Sequence, residues 1–214
     1  ILAAAALEKS DLVLDIGAGP GALSLVLAEK VAGVIAIEWD RGLASLLREQ
    51  ACNRGYDHLH VIEGDVRRLG LHKICRQFWG PDDYVKIVAN LPYYLTTPLL
   101  FKLLQGKELK IKLLVLMVQL EVARRILAEP GGKDYGTLSI LCRYYTNSKF
   151  LFKVSRNVFY PPPAVDSAVV LLNTLPRPLY QVQDEETFWK IVRAAFQKRR
   201  KTLPNALDGL GQFS

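Results

Sequence analysis

Short apolar runs and longer amphipathic stretches alternate along the first hundred residues. Four apolar runs, Leu12–Ile16, Val34–Ile37, Leu59–Ile62 and Val85–Ala89, are each four or five residues long and are followed by glycine or polar residues. Runs of this length are typical of buried strands. Helical patterns lie between them, the first over Ala22–Lys30 after a glycine-rich turn. Strands that alternate with helices predict an α/β fold with a mostly parallel sheet.

The second half of the chain continues the sheet and then changes character. Lys112–Gln119 is predicted to be a buried strand, and two further strands are expected at about Lys149–Val154 and Ser167–Leu172. A proline-containing linker follows at residues 176–178, and an amphipathic helix is predicted over Glu185–Lys198. We therefore expect one large domain, residues 1–176, and the beginning of a small helical domain, residues 177–214. Because the chain opens at Ile1 and stops soon after the second domain begins, we expect both ends to be truncated.

Composition narrows the class of protein. Half of the 214 residues are hydrophobic and 23% are charged, as in ordinary globular proteins. Apolar runs fall far short of the roughly 20 residues of a membrane span, so we expect a cytoplasmic protein. Three widely spaced cysteines, Cys52, Cys75 and Cys142, suggest neither a disulfide framework nor a metal site, and we expect all three to be buried.

Charge is distributed unevenly between the two halves. Residues 1–100 carry a net charge of −2, whereas residues 101–214 carry +9. The run Lys198-Arg199-Arg200-Lys201 places four cations in about one helical turn, where their mutual repulsion would be relieved by phosphate groups. A solvated charged surface is the ordinary explanation of such a run, but together with the basic half it favours contact with RNA.

A glycine-rich turn follows the first predicted strand. Gly17, Gly19 and Gly21 would let the backbone approach a ligand at the positive end of the next helix. With Ala22 in the third place, the turn also satisfies the dinucleotide-binding pattern, and Glu38 follows the second strand where a ribose-binding acid is expected. A nucleoside cofactor is predicted either way, and a purely structural turn is the alternative.

Polar residues also follow the third and fourth strands. Asp65 lies just beyond Leu59–Ile62, and Asn90-Leu91-Pro92-Tyr93 follows Val85–Ala89. An amide oxygen and a backbone carbonyl can accept the two hydrogens of an exocyclic amine, proline fixes their direction, and tyrosine can stack on a base. Two such acceptors would favour a pyramidal amine nitrogen with its lone pair free to attack a methyl group. A turn after a buried strand, with Tyr93 in the core, is the structural alternative.

Taken in order, these motifs resemble a known family. The four strand ends are similar to those of class I S-adenosylmethionine methyltransferases, and Asn-Leu-Pro-Tyr resembles the motif of adenine methylases that act on nucleic acid. More narrowly, the chain resembles the small-subunit ribosomal RNA adenine dimethyltransferases, the kasugamycin-sensitivity methylases, over essentially its whole length. The matching segments are Val13–Gly21, Val61–Asp65, Val88–Pro98, Met117–Val122, Asp134–Ser139, Phe159–Val169 and Phe196–Leu203.

The resemblance implies a Rossmann-like catalytic domain with about seven strands, the last pair antiparallel, and a C-terminal helical RNA-binding domain. It implies S-adenosylmethionine as cofactor and small-subunit rRNA in the assembling subunit as substrate. We expect no metal, no membrane and a monomer. The family's site residues correspond here to Gly17, Gly19, Gly21, Glu38, Asp65 and Asn90 for the cofactor, and to Asn90, Leu91, Pro92, Tyr93 and Phe159 for the target base. Phe159 and Tyr93 would sandwich the flipped adenine; without the resemblance, a hydrophobic plug is the simpler interpretation of Phe159.

Three other functions remain open at this stage. A large-subunit rRNA methylase of the macrolide-resistance type would use the same chemistry, although Phe196–Leu203 and Pro161–Ser167 favour the small-subunit enzyme. A non-catalytic RNA-binding or transcription factor could use the same fold, although the intact Asn-Leu-Pro-Tyr argues against it. A nicotinamide dehydrogenase would leave Asn90–Tyr93 and the basic half unexplained.

Overall fold

Seven strands form one mixed sheet in the computed structural model, which describes residues 1–106, 109–197 and 203–207. The spatial order is β3-β2-β1-β4-β5-β7-β6; only β7 runs against its neighbours, and β6 is paired to it in antiparallel register. The α/β fold and the antiparallel last pair predicted above are confirmed. The strands are β1 (Leu12–Ile16), β2 (Gly33–Glu38), β3 (Leu59–Glu63), β4 (Tyr84–Asn90), β5 (Lys110–Gln119), β6 (Thr146–Val154) and β7 (Ser167–Thr174).

Helices cover both faces of the sheet. They are α1 (Ser24–Ala28), α2 (Arg41–Asn53), α3 (Leu71–Phe78), α4 (Thr96–Gln105), α5 (Leu120–Ile126), α6 (Thr137–Tyr145), α7 (Glu185–Gln197) and α8 (Leu203–Leu207), with short 3₁₀ helices at Leu2–Ala5, Tyr93–Leu95 and Arg156–Val158. Alternate strand residues enter two cores: one packs against α3 to α7, the other against α1, α2 and the N-terminal 3₁₀ helix. Because parallel strands end at one edge, the polar residues after β1 to β4 are brought together there.

Several predicted boundaries and one burial assignment are wrong. The helix predicted over Ala22–Lys30 is only Ser24–Ala28, because Ala22 and Leu23 still belong to the glycine turn and Lys30 already bonds back toward Leu27 on the way to β2. Strands β5 and β6 begin two and three residues earlier than predicted, and β7 ends two residues later, since pairing between strands extends them beyond their apolar cores.

The three cysteines have different environments. Cys75 and Cys142 are buried as predicted, and burial raises the pKa of both thiols, that of Cys75 to about 12. Cys52 is exposed instead, because it lies on the outer face of α2 while Leu47 and Ala51 face the core. Sequence composition alone could not separate the two faces at this position.

A buried lysine ties the N-terminal segment to the sheet. The Lys86 side chain is 3% exposed, and its Nζ donates to the carbonyl oxygens of Ala5 and Ala6 at 3.1 and 2.7 Å and to Asp11 Oδ2 at 2.6 Å. Three acceptors therefore satisfy all three ammonium hydrogens.

Replacing Lys86 with methionine should destabilise the protein by about 3 kcal/mol, because Asp11 would become a buried carboxylate without a counter-ion. Urea unfolding of the variant and the wild type measures the change. The matched control is Lys110→Met, which removes an exposed pair with Asp82 and should have little effect. Equal losses from both variants would contradict the role given to Lys86.

Helix α7 packs on α6 through aromatic rings. Trp189 is buried and lies 5.7 Å from the Tyr144 ring and 6.0 Å from the Tyr145 ring, centroid to centroid, while its Nε1 donates to the Tyr145 hydroxyl. That hydroxyl in turn donates to Glu185 at the start of α7. Helix α7 thus shares a core with the sheet, and the domain boundary at residue 176 stays a prediction.

Candidate active site

The glycine turn after β1 is packed against two different parts of the molecule. All three glycines have positive φ, 76° at Gly17, 57° at Gly19 and 95° at Gly21. A Cβ at Gly17 would lie 2.8 Å from Pro92 Cδ, and one at Gly21 would collide with the Leu47 side chain, so both positions need glycine for internal packing. Only Gly19 has space, since an added Cβ would meet no heavy atom within 4 Å. This open position leaves room for a ligand to approach the backbone.

Glu38 joins the glycine turn to the end of β2. Its Oε2 accepts the Gly19 N–H at 2.7 Å, and its Oε1 accepts the Asp40 N–H at 2.8 Å. Each carboxylate oxygen still has a second lone pair available for a hydroxyl donor. The two amides hold the carboxylate in one orientation at the edge of the sheet.

Asp65 is paired with an arginine that the sequence analysis did not single out. Arg67 donates from Nε to Asp65 Oδ1 at 3.0 Å and from Nη2 to Oδ2 at 2.7 Å, and its backbone N–H also reaches Oδ1. Hydrogen bonds from the Arg67 side chain, then from its backbone, lower the pKa of Asp65 to about 2. The guanidinium carbon lies 5.9 Å from the Trp39 ring centroid and 5.7 Å from that of Tyr94. Asp65 is therefore an ionised acceptor, and its partner Arg67 lies near two aromatic rings.

These groups surround one cleft of about 430 Å³ across the carboxyl ends of β1 to β4. Its volume lies in the range of small-molecule sites. Four site residues predicted from the sequence line it: Gly17, Glu38, Asp65 and Pro92. The other predicted residues are not among the lining residues; they are Gly19, Gly21, Asn90, Leu91, Tyr93 and Phe159. The lining consists of Ile16, Gly17, Ile37, Glu38, Trp39, Asp40, Arg41, Gly64, Asp65, Val66, Pro92, Tyr94 and Leu95.

Two aromatic residues of the cleft were missed by the sequence analysis. Trp39 directly follows Glu38, and Tyr94 directly follows Tyr93; each side chain is 60% exposed. Exposed aromatic rings beside a polar pocket are typical of ligand sites. Their position next to Glu38 and Tyr93, which had been selected at strand ends, was the feature of the sequence that could have identified them.

The Asn90–Tyr93 turn leaves β4 beside the glycine turn. Asn90 is exposed, Leu91 is buried and donates its N–H to the Met117 carbonyl at 3.1 Å, and Pro92 contacts Gly17. Tyr93 begins the 3₁₀ helix and is half-buried. The amide-bearing turn and the cleft thus share an edge of the sheet, and Pro92 belongs to both.

Phe159 comes from the segment that joins β6 to β7. It follows the 3₁₀ helix Arg156–Val158, is half-buried, and packs against the core layer that includes α1 and α2. Because β6 runs parallel to β5, this segment lies at the carboxyl edge as well. The sandwich of a base between Phe159 and Tyr93 stays a prediction.

A third carboxyl group, that of Asp15, lies inside β1, whose last residue, Ile16, lines the cleft. Asp15 is 1% exposed, and its Oδ2 accepts the Ser24 hydroxyl at 2.6 Å. Burial raises the pKa of Asp15 to about 7, the Ser24 hydrogen bond opposes this rise, and the nearby Glu38 charge adds to it. From the sequence, Asp15 had no predicted role beyond its place in the strand.

Three further expectations concern the basic run, metal binding and membrane insertion. The basic run Lys198–Lys201 lies outside the described residues. Among the residues that the structure describes, no group of three or more His, Cys, Asp or Glu side chains could hold a metal ion. Within those same residues, no helix combines the length and apolar character needed to cross a membrane.

A seven-stranded sheet in this order, with a cleft across the carboxyl ends of its first four strands, is the fold of class I methyltransferases. A family model described as "Ribosomal RNA adenine dimethylase" matches residues 1–213. The chain belongs to this family, which confirms the resemblance seen in the motifs.

Individual relatives agree with this assignment. The chain is 46% identical over 215 residues to "Ribosomal RNA small subunit methyltransferase A" of Moorella thermoacetica, a match that covers 99% of this chain and 74% of the relative. Among solved structures, it is similar to a dimethyladenosine transferase from Plasmodium falciparum, with a TM-score of 0.76, 32% identity and coverage of 96% and 70%. It is also similar to the 23S rRNA methyltransferase ErmE, with a TM-score of 0.72, 26% identity and coverage of 95% and 77%.

Proposed function

We propose that this protein transfers methyl groups from S-adenosylmethionine to the exocyclic amines of two adjacent adenines in small-subunit rRNA, two methyls on each. Family membership and the name of the Moorella relative support this reaction. The observation that supports it most is the contact of Pro92 with Gly17, because the Asn90–Tyr93 turn, the proposed acceptor of the target amine, then lies against the wall of the cleft. Cytoplasmic location, a monomeric state and action on the assembling subunit remain predictions.

The chemistry of the cleft supports S-adenosylmethionine as the cofactor. Gly17, Gly19 and Gly21 would approach the methionine part, Glu38 would accept from the ribose hydroxyls, and Asp65 would accept from the adenine amine. The open space at Gly19, the orientation of the Glu38 carboxylate by two backbone amides and the lowered pKa of Asp65 support these roles. When bound, the cofactor supplies a methyl group on a positively charged sulfur.

The residues of the turn would prepare the target amine. The Asn90 side-chain oxygen and the Leu91 carbonyl would accept its two hydrogens, and Asn90 would also border the cofactor. Two fixed acceptors favour a pyramidal nitrogen whose lone pair points along the line of transfer. Tyr93 and Phe159 would stack on the base, which offsets part of the cost of removing it from the RNA stack. Positioning and exclusion of water would supply most of the acceleration, so no general-base carboxylate is needed.

The RNA itself would be held largely by cations of the second half. Lys198, Arg199, Arg200 and Lys201 are proposed to contact phosphates, in keeping with the net charge of +9 over residues 101–214. Such contacts would position the subunit and would weaken as salt concentration rises.

Methyl transfer from tritiated S-adenosylmethionine tests the proposed function. Undermethylated small ribosomal subunits, large subunits and a no-RNA control are compared, and the product nucleosides are analysed. We expect dimethyladenosine on the small subunit alone. Label on the large subunit would favour the chemistry named for ErmE, and no transfer with cofactor still bound would contradict the proposed enzyme.

The open position at Gly19 gives a separate test of cofactor binding. Gly19→Ala should weaken S-adenosylmethionine binding about tenfold or more, because the new methyl group would enter the space left for the ligand. Gly55→Ala is the matched control: Gly55 also has positive φ and open surroundings but follows α2 and lies outside the glycine turn. Both substitutions should cost about 1 kcal/mol of stability from backbone strain. Calorimetric titration should show normal affinity in the control, and equal affinities in the two variants would exclude the assigned role of Gly19.

A further inference from the structure

A hydrogen bond connects the Asn90–Tyr93 turn to the start of β7. The Tyr93 hydroxyl lies 3.0 Å from Ser167 Oγ, although the two residues are 74 positions apart in the chain. Ser167 is 1% exposed and is paired on both sides, with Gln119 of β5 and Val154 of β6. Its backbone is therefore fixed by the sheet, and the hydroxyl pair fixes the outer end of the Tyr93 ring.

Asp166, the residue before Ser167, holds the segment that carries Phe159. Asp166 Oδ1 accepts the Arg156 N–H at 3.0 Å, and its Oδ2 accepts from Lys153 Nζ at 2.6 Å. Both hydrogen bonds lower the pKa of Asp166, and the bond from Lys153 has the larger effect. Arg156 begins the 3₁₀ turn, and the Phe159 N–H donates back to the Arg156 carbonyl at 3.2 Å. Asp166 is thus linked to Phe159 through one backbone turn.

The Arg156 side chain bonds to the far end of the segment that carries Phe159. Its Nη1 donates to the Ala164 carbonyl at 3.1 Å, so the residues on both sides of Phe159 are joined across the loop. The Asp166 carbonyl also accepts the Leu120 N–H at 3.0 Å, which fixes Asp166 to the end of β5. Residues 166 and 167 are therefore attached to the sheet by their backbone. The Ser167 side chain bonds Tyr93, and the Asp166 side chain bonds Arg156, the first residue of the turn that ends at Phe159.

We propose that Asp166 and Ser167 are positioning residues that set the separation of Tyr93 and Phe159. Ser167 holds Tyr93 through its hydroxyl, and Asp166 holds the turn that ends at Phe159. Stacking on both faces of a flat base requires each ring plane to stay about 3.5 Å from it, so a small displacement loses attraction on one side. The proposal rests on the proposed function and adds to it the device that keeps the base-binding rings in place.

A double-mutant cycle tests the link between Ser167 and Tyr93. Tyr93→Phe keeps the ring and removes the hydroxyl, while Ser167→Ala keeps the tyrosine and removes its partner. Each should lower kcat for methylation of small subunits about tenfold, with the cofactor Kd unchanged, because part of the stacking on the base is lost. The double variant should lose about tenfold and not a hundredfold, since both changes remove one interaction.

Matched controls separate positioning from general stability. Ser139→Ala removes another serine that is 1% exposed, whose hydroxyl donates to the Arg125 carbonyl; it should lower stability without lowering kcat. Asp166→Ala should lower kcat several-fold, whereas Asp83→Ala, which removes an acceptor of the Gly80 N–H, should not.

Each outcome has a definite meaning. Normal kcat in Ser167→Ala, or multiplicative losses in the double variant, would overturn the proposal while leaving the methyltransferase function intact. Equal losses of kcat in Ser139→Ala and Ser167→Ala would mean that the Ser167 substitution acts through a general loss of stability. That result would also overturn the proposal. Absence of transfer by the wild-type protein would contradict the proposed function itself, and the positioning role would fall with it.

Discussion

Asn90→Ala is expected to lower kcat for methyl transfer at least about a hundredfold while the Kd of S-adenosylmethionine changes little. The side-chain oxygen is proposed to accept one hydrogen of the target amine, and loss of one such preorganised group typically costs two to three orders of magnitude in rate. Cofactor binding is proposed to depend mainly on the glycine turn, Glu38 and Asp65, and Asn90 is not among the residues that line the cleft. Tyr93→Ala should likewise abolish transfer with cofactor binding nearly intact, because it removes one of the two rings proposed to stack on the base.

Single-turnover methylation and calorimetric titration of the cofactor measure the two quantities separately. Asn53→Ala, at the exposed end of α2, controls for the loss of an amide elsewhere on the surface. Parallel losses of transfer and cofactor affinity in Asn90→Ala would show that Asn90 serves mainly the cofactor, and the amine-orienting role would then be wrong.

Asp15→Asn is expected to stabilise the protein at pH 8 by up to about 4 kcal/mol relative to the wild type. Burial raises the pKa of Asp15 from 3.8 to about 7, so between these values the folded protein binds more protons than the unfolded chain. Stability from this group is present at low pH and is lost as the pH rises from about 4 to 7. Asparagine cannot ionise and can still pair with Ser24, so the variant avoids the loss.

Urea unfolding at pH 5 and pH 8 isolates this contribution as a difference between variant and wild type. The advantage of Asp15→Asn should grow by about 3 kcal/mol between the two pH values. Asp57→Asn, an exposed position, should show no such growth. A constant difference across this range would mean that Asp15 remains ionised in the folded protein.

Much of the fold followed from local pattern. The apolar runs predicted all seven strands, and the glycine and proline residues marked the turns between elements. Errors occurred at boundaries. The first helix begins at Ser24 instead of Ala22, because Ala22 and Leu23 have high helix propensity but belong to the glycine turn. Cys52 was assigned to the core wrongly because burial on α2 depends on which face meets the sheet.

The candidate site was predicted less completely than the fold. Glu38, Asp65 and the Asn90–Tyr93 turn could be selected because each follows a strand, and the ends of parallel strands meet at one edge. Arg67 could not be selected, because it is one of ten cationic residues among the first hundred and no local pattern distinguishes it. Only its contact with Asp65 in the structure identifies it as part of the site. Asp166 and Ser167 belonged to a recognised motif, but their contacts with other segments were not apparent.

The sequence by itself determined the elements, their order, the family and the types of residue available at each strand end, because these depend on periodicity and short motifs. Only the tertiary structure decided which of those residues meet. Gly17 meets Pro92 across 75 positions, Lys86 reaches Asp11, and Ser167 reaches Tyr93. Such contacts are set by sheet register and side-chain packing between distant segments, and no local pattern encodes those distances.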